Sequence, residues 1–271
     1  MNSNKRGIYL RRFEMETVLK KKIEEGIGYL IINRPKSMNA LNSEVLNALD
    51  IALDDMAEEE IDVLIITGEG KAFIAGADIS EMKSLNAEQG RAFGLLGAKV
   101  FRKLETFEKP TIAMINGYAL GGGLELAMSC DIRMASKKAK LGQPETGLGI
   151  TPGFSGTQRL SRLIGIARAK ELIYTAKMID ADTAETYGLI NHVVEAEELE
   201  EETLKMAKAI QKNAPLAVSY AKKAIQGGYE VSIDEGIRME SYLFGLCFAS
   251  EDQKEGMNAF MEKRKAIFKN K

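Results

Sequence analysis

Hydrophobic residues recur along this chain in two different patterns, and each pattern predicts a different secondary structure. Two segments, 18–24 and the apolar-rich 27–33, flank Glu25-Gly26, a residue pair typical of the turn in a β-hairpin. The runs at 63–67 and 111–115 are apolar and β-branched with almost no alternation, as in strands that are buried on both faces. These four runs are therefore predicted to be strands.

Apolar residues spaced three and four apart predict the helices. Ser43 is a suitable N-cap for a helix that continues to about Met56, and a second helix is predicted over 88–107. The apolar stripe of the first helix would consist of Val45, Leu46, Leu49 and Leu53. After Leu160 the helical pattern dominates, with a predicted break at Gly227-Gly228. The helices expected in this part cover 168–175, 181–187, 195–212, 215–226, 233–248 and 252–268.

The order of these elements predicts the fold class and the domains. Strands and helices alternate as far as a last short strand over 188–194, and only helices are predicted afterwards. Alternation of this kind is typical of α/β folds. We therefore predict an α/β core that contains the active site at residues 1–200 and a helical region at residues 201–271.

Composition narrows the possible classes of function. The net charge of -2 gives no overall basic field that would favour nucleic acid or an anionic membrane. Cys130 and Cys247 form no disulfide framework and no zinc pattern, which suits a reducing cytoplasm. No apolar run is long enough to span a bilayer. The basic segment 1–13 lacks the apolar region of a secretion signal, so we expect a frayed terminus there, with a short transit peptide as the alternative.

One stretch combines a strand, a glycine turn and an acid. The run 111–115 leads into Gly121-Gly122-Gly123, and an apolar helical pattern follows. The N-terminus of a helix presents free N–H groups that favour negative charge. Glu125 lies just after the glycines among apolar residues, where a carboxylate is expected to be paired or kept for chemistry. A first-turn acid that complements the helix dipole is the simpler alternative.

Glu145 is the second candidate acid. It follows Pro144 in a glycine-rich segment that has no other charge as far as Gln158. Two acids in glycine-lined apolar surroundings suggest a general acid and a general base. A solvated loop acid is the alternative, because the sequence does not show whether Glu125 and Glu145 meet.

Other catalytic motifs fail on their spacing. The segment Gly153-Phe154-Ser155-Gly156-Thr157 lacks the last glycine of a nucleophile elbow. The glycines of 147–153 have the wrong spacing for a dinucleotide-binding loop, and Pro152 would interrupt the helix that such a loop needs. His192 is the only histidine, which excludes a multi-histidine metal site and favours an ordinary histidine at a strand end.

Several short motifs occur together in one chain order. They are Asn33-Arg34-Pro35 with Asn39-Ala40-Leu41, then Ala75-Gly76-Ala77-Asp78-Ile79, then the stretch from Asn116 to Met128, and then Gly142-Gln143-Pro144-Glu145 with Gly156-Thr157-Gln158-Arg159-Leu160. In this combination the chain resembles the enoyl-CoA hydratase (crotonase) family from about Val18 to Phe268. The segments 73–82 and 147–154 are most similar to the bacterial short-chain members, which dehydrate 3-hydroxybutyryl-CoA to crotonyl-CoA.

The resemblance implies a fold, a reaction and an assembly. The fold would be a spiral of ββα units with a C-terminal helical region that joins subunits, usually as a dimer of trimers. The reaction would be the reversible hydration of short-chain trans-2-enoyl-CoA to (3S)-3-hydroxyacyl-CoA, in β-oxidation or butyrate metabolism. No metal and no separate cofactor are expected, because coenzyme A is part of the substrate. The expected partners are the acyl-CoA thioester and other copies of the chain, with no nucleic acid and no membrane.

The resemblance also implies roles for individual residues. The backbone N–H groups of Ala77 and Gly122 would form an oxyanion hole for the thioester carbonyl. Glu125 and Glu145 would hold the reacting water as base and acid, and Gly153 would offer an N–H group to that water or to Glu145. The residues lining the substrate-binding site would be Ala77, Asp78, Ile79, Ser80 and Gly122.

One departure and two alternatives remain at this point. Ser155 stands where many relatives have glycine, and it would be strained if the position needs a positive φ. An enoyl-CoA isomerase or acyl-CoA hydrolase usually alters one of the two acids, and here both are present. An RNA-binding relative is disfavoured by the net charge and by the acidic run 195–202.

Overall fold

Ten strands lie within residues 18–271, which are the residues that the computed structural model describes. The expectations for the segment 1–13 lie outside this part of the chain. In chain order the strands are β1 (Leu19–Glu24), β2 (Ile27–Ile32), β3 (Val63–Gly68), β4 (Ala72–Ile74), β5 (Thr111–Ile115), β6 (Tyr118–Leu120), β7 (Ile132–Ser136), β8 (Lys140–Gly142), β9 (Met178–Asp180) and β10 (His192–Val194).

The larger sheet has the strand order β1-β2-β3-β5-β7-β10. β1 and β2 form the predicted antiparallel hairpin, with Glu25 and Gly26 at φ values of 49° and 76° in its turn. All other neighbouring strands of this sheet are parallel. Every residue of β3 is buried, as its continuous apolar run predicts. The predicted last strand is confirmed only over its final three residues.

The smaller sheet has the order β4-β6-β8-β9, with β9 as its antiparallel member. β6, β8 and β9 were not predicted as strands, and neither was β7 of the larger sheet. β6, β8 and β9 have only three residues each, which is too short for an apolar pattern to be recognised. As a result, the run 111–115 does not lead directly into the glycine turn, because β6 lies between them.

The helices connect these strands and then continue alone to the C-terminus. In chain order within residues 18–271 they are α1 (Ser43–Glu58), α2 (Ile79–Met82), α3 (Ala87–Glu105), α4 (Gly122–Met128), α5 (Gly156–Ile164), α6 (Ile166–Thr175), α7 (Ala181–Thr186), α8 (Leu199–Gln211), α9 (Pro215–Tyr229), α10 (Ile233–Cys247) and α11 (Glu251–Met261).

Two local predictions were wrong. The cap of α1 is Asn42, whose side chain accepts a hydrogen bond from the Val45 N–H, whereas the Ser43 N–H binds the Glu81 carboxylate. The predicted break at Gly227-Gly228 does not exist, because both glycines lie inside α9. A methyl group at Gly227 would lie 2.5 Å from the Met239 sulfur of α10, so glycine here allows two helices to pack closely.

Two other helices differ from the prediction. α5 was not predicted, and its short apolar stripe is interrupted by the buried Arg159. The helix predicted over 252–268 ends at Met261.

The hydrophobic core lies on both faces of the larger sheet. The predicted stripe of α1 packs on one face, and all four of its side chains are at most 1% exposed. On the other face, Leu199 and Ala207 of α8 pack with Tyr29 and Ile65. α8 thus crosses the predicted domain boundary at residue 200 while packing on the core sheet, and the division itself stays a prediction. No helix within residues 18–271 is both long and apolar enough to cross a membrane.

Candidate active site

Glu125 lies in α4 and is almost completely buried, with 1% of its surface exposed. One carboxylate oxygen, Oε1, accepts two backbone hydrogen bonds, from the N–H of Phe154 at 2.8 Å and from the N–H of Gly156 at 2.6 Å. Phe154 lies just before α5, and Gly156 is the first residue of that helix. A carboxylate that accepts N–H bonds on one oxygen is held in a fixed orientation, and its other oxygen is free to exchange a proton.

The turn before α4 brings the second acid close. Gly121 has a φ of 49° and donates its N–H to the Gly142 carbonyl at 2.9 Å, which joins the ends of β6 and β8. A methyl group at Gly121 would lie 2.8 Å from Glu145 Oε1. Glycine is therefore needed both for the left-handed turn and for the approach of Glu145.

Glu145 lies in a short 3₁₀ turn, Pro144–Leu148, directly after β8. It is 8% exposed, and its Oε2 accepts no hydrogen bond from any residue in 18–271. The buried Gln143 beside it donates its amide to the Gly121 carbonyl at 3.2 Å. The two acids that the sequence singled out are thus brought to the same glycine turn by two different strands.

Burial sets the protonation of the two acids. The pKa of Glu125 is raised to about 8, by its burial first and then by the charge of Glu145, although the two N–H donors and the Arg159 guanidinium act in the opposite direction. Burial raises the pKa of Glu145 to about 7. Two carboxyl groups with raised pKa values can hold one proton between them near neutral pH, as an acid and a base acting together require.

The predicted oxyanion hole consists of two backbone N–H groups, those of Ala77 and Gly122, and it stays a prediction. Leu41 bonds to both neighbours of Ala77: its N–H donates to the Gly76 carbonyl at 2.9 Å, and its carbonyl accepts the Asp78 N–H at 2.7 Å. Because successive N–H groups of an extended chain point to opposite sides, the Ala77 N–H points away from Leu41. Gly122 is the first residue of α4, where N–H groups have no partner within the helix.

Asp78, in the predicted substrate-lining segment, has a fixed side chain. Asp78 caps α2 by accepting the Ser80 N–H at 3.0 Å, and it pairs with Arg34 at 3.0 Å. Its carboxylate is therefore occupied by structural contacts, whereas Ile79 and Ser80 are exposed. The contact of these residues with substrate stays a prediction.

Gly153 and Ser155 lie in the segment that contacts Glu125. The donors to Glu125 are the neighbours of these two residues, and the predicted bond from the Gly153 N–H to the water or to Glu145 stays a prediction. Ser155 has a φ of 80°, so it occupies the left-handed conformation that the sequence analysis named as a source of strain.

Phe154, Gly156 and Arg159 were named above only as members of motifs, and their roles in the site were not predicted. The Phe154 ring packs edge-on against Phe93 and Phe101, with ring centroids 5.3 Å and 5.4 Å apart. Arg159 is buried behind the segment and donates to the Phe154 carbonyl at 3.1 Å. Backbone donors carry no sequence signal. An arginine within the apolar stripe of α5 is visible in the sequence and could have indicated the role of Arg159.

The remaining groups to place are possible metal ligands, the single histidine and a basic residue near the C-terminus. Within residues 18–271, no three His, Cys, Asp or Glu side chains come together as a metal site. His192 is exposed in β10. Arg264 in the C-terminal region pairs with Glu255 and Glu262.

Known proteins with similar sequences share one activity in their names. The family model described as enoyl-CoA hydratase/isomerase matches residues 22–271. The short-chain-enoyl-CoA hydratase of Clostridium acetobutylicum is 54% identical over 261 residues, which cover 95% of this chain and 100% of that protein. The crotonyl-CoA hydratase of Syntrophomonas wolfei is 54% identical over 253 residues, covering 92% of this chain and 96% of that protein.

Solved structures share the fold. The crystal structure of an enoyl-CoA hydratase from Bacillus anthracis has a TM-score of 0.91 at 41% identity and covers 94% of this chain and 100% of that chain. An enoyl-CoA hydratase from Mycobacterium smegmatis has a TM-score of 0.90 at 28% identity, with 93% and 98% covered. The expected crotonase-type α/β fold is confirmed, and the chain belongs to the enoyl-CoA hydratase/isomerase family.

Proposed function

We propose that this enzyme catalyses the reversible hydration of short-chain trans-2-enoyl-CoA to (3S)-3-hydroxyacyl-CoA, with crotonyl-CoA as a representative substrate. The observation that carries the proposal is the meeting of two buried acids, Glu125 and Glu145, at the N-terminal turn of α4. The reaction adds water across a double bond, so it needs one group to accept a proton from water and another to give a proton to carbon.

The proposed oxyanion hole consists of the N–H groups of Ala77 and Gly122. The thioester oxygen gains negative charge as the enolate forms, and two fixed N–H donors would stabilise it without reorganising. Loss of one such donor typically costs about 2.7–4 kcal/mol of transition-state stabilisation. Because both donors are backbone groups, they are altered by moving the chain rather than by truncating a side chain.

The two acids would act on the two carbons of the double bond. In hydration, Glu125 accepts a proton from water as the water oxygen bonds to the β-carbon, and protonated Glu145 gives its proton to the α-carbon. The carbon–carbon π bond is replaced by one C–O and one C–H bond. Glu125 then releases the proton it accepted to solvent and Glu145 takes up another, and dehydration follows the same steps in reverse. The Gly153 N–H would orient the water or Glu145.

The protonation state predicts the pH dependence. Activity requires one proton on the pair, on Glu145 for hydration and on Glu125 for dehydration. The pKa values of Glu145 and Glu125 are raised to about 7 and about 8, so the proton resides mainly on Glu125 and hydration uses the less populated arrangement. We therefore expect a bell-shaped profile of kcat/KM with its maximum between about pH 7 and pH 8. A maximum below about pH 5 would contradict two buried acids with raised pKa values.

The substrate class follows from the relatives and from the site. Both curated relatives at 54% identity carry names that specify short-chain or crotonyl-CoA substrates. The Phe154 ring supports a short acyl chain, because it lies 3.1 Å from where a methyl group at Gly122 would be and is fixed between Phe93 and Phe101. Asp78, Ile79 and Ser80 would follow the pantetheine arm, and coenzyme A would enter as part of the substrate.

We also propose that the enzyme is a homo-oligomer, in the form of a dimer of trimers, and works in the cytoplasm. Large apolar side chains of the C-terminal helices are exposed: Tyr242, Phe244 and Phe260 have 75%, 66% and 82% of their surface accessible. Contact with other copies would bury them. Phe244→Asp should then lower the sedimentation coefficient toward that of a 29.8 kDa chain, whereas Lys254→Asp should not. A wild-type protein that sediments as a monomer would contradict the proposal.

The experiment that tests the activity follows the ultraviolet absorbance of crotonyl-CoA with wild type, Glu125→Gln and Glu145→Gln. We expect rapid loss of absorbance in wild type and a decrease in kcat of about 10²–10⁴-fold or more in each variant. Glu44→Gln, an exposed glutamate of α1, is the matched control and should behave as wild type. Longer enoyl chains then measure the chain-length limit.

Two results would contradict the proposal. Folded wild type that does not hydrate crotonyl-CoA would exclude the activity, and isomerase and hydrolase assays would come next. Full activity in either glutamine variant, with the fold checked by circular dichroism, would exclude that glutamate as an acid or base.

A further inference from the structure

A buried ion pair lies directly behind the segment that binds Glu125. Arg159 of α5 and Glu105 at the end of α3 form a two-point contact, with Nε–Oε1 and Nη2–Oε2 distances of 3.2 Å and 2.9 Å. The Arg159 side chain is 10% exposed and that of Glu105 23%. Burial alone would raise the pKa of Glu105, but Arg159 and Arg102 lower it below the usual value, so the pair is ionised.

The third nitrogen of the same guanidinium group holds the catalytic segment. Arg159 Nη1 donates to the Phe154 carbonyl at 3.1 Å. The N–H of Phe154 and that of Gly156 are the two donors to Glu125 Oε1. Arg159 is therefore one peptide unit away from both hydrogen bonds that orient Glu125.

This segment needs an external constraint. Ser155 lies between the two donors with a φ of 80°, a conformation that costs a non-glycine residue free energy. Unconstrained, the segment would relax and the two N–H groups would no longer converge on one oxygen. A planar guanidinium group that binds a carboxylate at two points and a carbonyl at the third is a rigid constraint of the required kind.

We propose that Arg159, anchored by Glu105, is a positioning residue for Glu125, because it fixes the segment 154–156 whose N–H groups orient the Glu125 carboxylate. The proposal rests on the proposed hydration activity. It assigns a role to a residue that touches neither the substrate nor the reacting water.

The positive charge of Arg159 lowers the pKa of Glu125, and so do the two N–H donors that Arg159 holds in place. The charged groups that influence Glu125 are Glu145, whose negative charge raises its pKa, and Arg159, whose positive charge lowers it. The N–H groups of Phe154 and Gly156 also lower that pKa. Removal of Arg159 would weaken both lowering influences, so the pKa of Glu125 would rise further.

The test compares kcat, KM and the pH profile with crotonyl-CoA for Arg159→Gln, Arg159→Lys and Glu105→Gln. We expect kcat of Arg159→Gln to fall by about 10–10²-fold with little change in KM, because a misplaced base slows chemistry more than binding. The alkaline limb of the profile should move to higher pH by about half a unit or more. Arg159→Lys keeps the positive charge but cannot make the two-point contact. Its alkaline limb should therefore lie where that of wild type lies, and its kcat should recover only in part.

The matched control is Arg162→Gln. Arg162 lies on the same helix, three residues away, is exposed, and bonds only to Gln158 among residues 18–271. Its replacement should leave kcat and the pH limb as in wild type. If Arg159→Gln does not fold, the double variant Arg159→Leu/Glu105→Leu removes both buried charges and gives the same comparison.

Two outcomes would overturn the proposal while leaving the proposed activity intact. One is a wild-type kcat and an unmoved alkaline limb in Arg159→Gln, or in the leucine pair, in a protein that hydrates crotonyl-CoA and loses activity in Glu125→Gln. The other is an equal change in Arg162→Gln. A ¹³C NMR titration of the Glu125 carboxyl carbon provides a readout that does not need turnover: its midpoint should rise in Arg159→Gln and stay unchanged in Arg162→Gln.

Discussion

Two helices of this chain, α4 in the core and α10 near the C-terminus, show opposite relations between sequence and burial. All seven residues of α4 are buried, including Glu125. None of the fifteen residues of α10 is buried, although the helix contains Tyr242 and Phe244. The charged Glu125 of the short helix is hidden, whereas the aromatic residues of the long helix are exposed.

The difference shows that neighbours, rather than the composition of a helix, decide what is buried. α4 packs against strands β4 and β6 and against α5, so every face has a neighbour in the same chain. The main neighbour of α10 is α9, which itself buries only Ser219. Burial in the core raises the pKa of an acid and makes it reactive, whereas exposure in the C-terminal helices leaves a surface suited to association.

The largest expected effect tests packing with one glycine from each helix. A methyl group at Gly123 of α4 would lie 2.0 Å from the Ile74 carbonyl oxygen, whereas one at Gly245 of α10 would have no atom within 4 Å. We expect Gly123→Ala to destabilise the fold by about 3 kcal/mol or more, because the added methyl group would collide with backbone rather than with a movable side chain. Gly245→Ala should stabilise it by up to about 1 kcal/mol through helix propensity. Urea unfolding followed by circular dichroism measures both, because the chain contains no tryptophan.

Each half of this prediction can fail separately. A mild Gly123→Ala variant would mean that α4 can move away from β4, which would weaken the case for a rigid site. A strongly destabilising Gly245→Ala variant would mean that α10 is covered in solution, which would sharpen the proposal of contact between copies.

The next effect concerns the free-energy cost of a buried acid. Glu145 has a folded-state pKa of about 7 against an ordinary value of 4.5, so the folded chain keeps a proton that the unfolded chain releases. Binding of this proton therefore stabilises the folded state at low pH, and that stabilisation is lost as the pH rises from about 4.5 to about 7. At pH 8 we expect Glu145→Gln to be more stable than wild type by about 1–3 kcal/mol and at pH 4.5 to be about equal.

The matched control for this effect is Glu240→Gln, an exposed glutamate of α10. It should change stability little at either pH. Thermal unfolding at the two pH values decides the matter: a Glu145→Gln variant that is less stable at pH 8 would mean that the carboxylate makes favourable contacts that outweigh its burial.

The smallest effect compares left-handed residues in the two regions. Ser155 in the site and Lys263 after α11 have φ values of 80° and 55°. Replacing either with glycine removes strain but adds freedom to the unfolded chain, so we expect a gain of no more than about 1 kcal/mol in each. Activity should remain within about twofold for both, because the N–H donors beside Ser155 are unchanged. A loss of activity in Ser155→Gly alone would show that its side chain itself acts in the site.

Prediction from the sequence succeeded where a local pattern is long or chemically unusual. β3, β5 and the stripe of α1 follow from continuous or periodic apolar runs, and the hairpin follows from its turn residues Glu25-Gly26. Glu125 and Glu145 stood out as acids among apolar and glycine residues. Strands β6, β8 and β9 were missed because three residues carry no period, and their pairing partners are distant in sequence.

The sequence by itself determined the family of folds, the two acids and the glycine turn between a strand and a helix, because each depends on residue type or on short-range spacing. Only the tertiary structure decided which groups serve those acids. The N–H donors of Phe154 and Gly156, the anchoring of Arg159 on Glu105 and the approach of Glu145 to Gly121 all join segments far apart in the chain. Backbone donors are the same in every residue except proline, so their roles arise only from where the fold positions them.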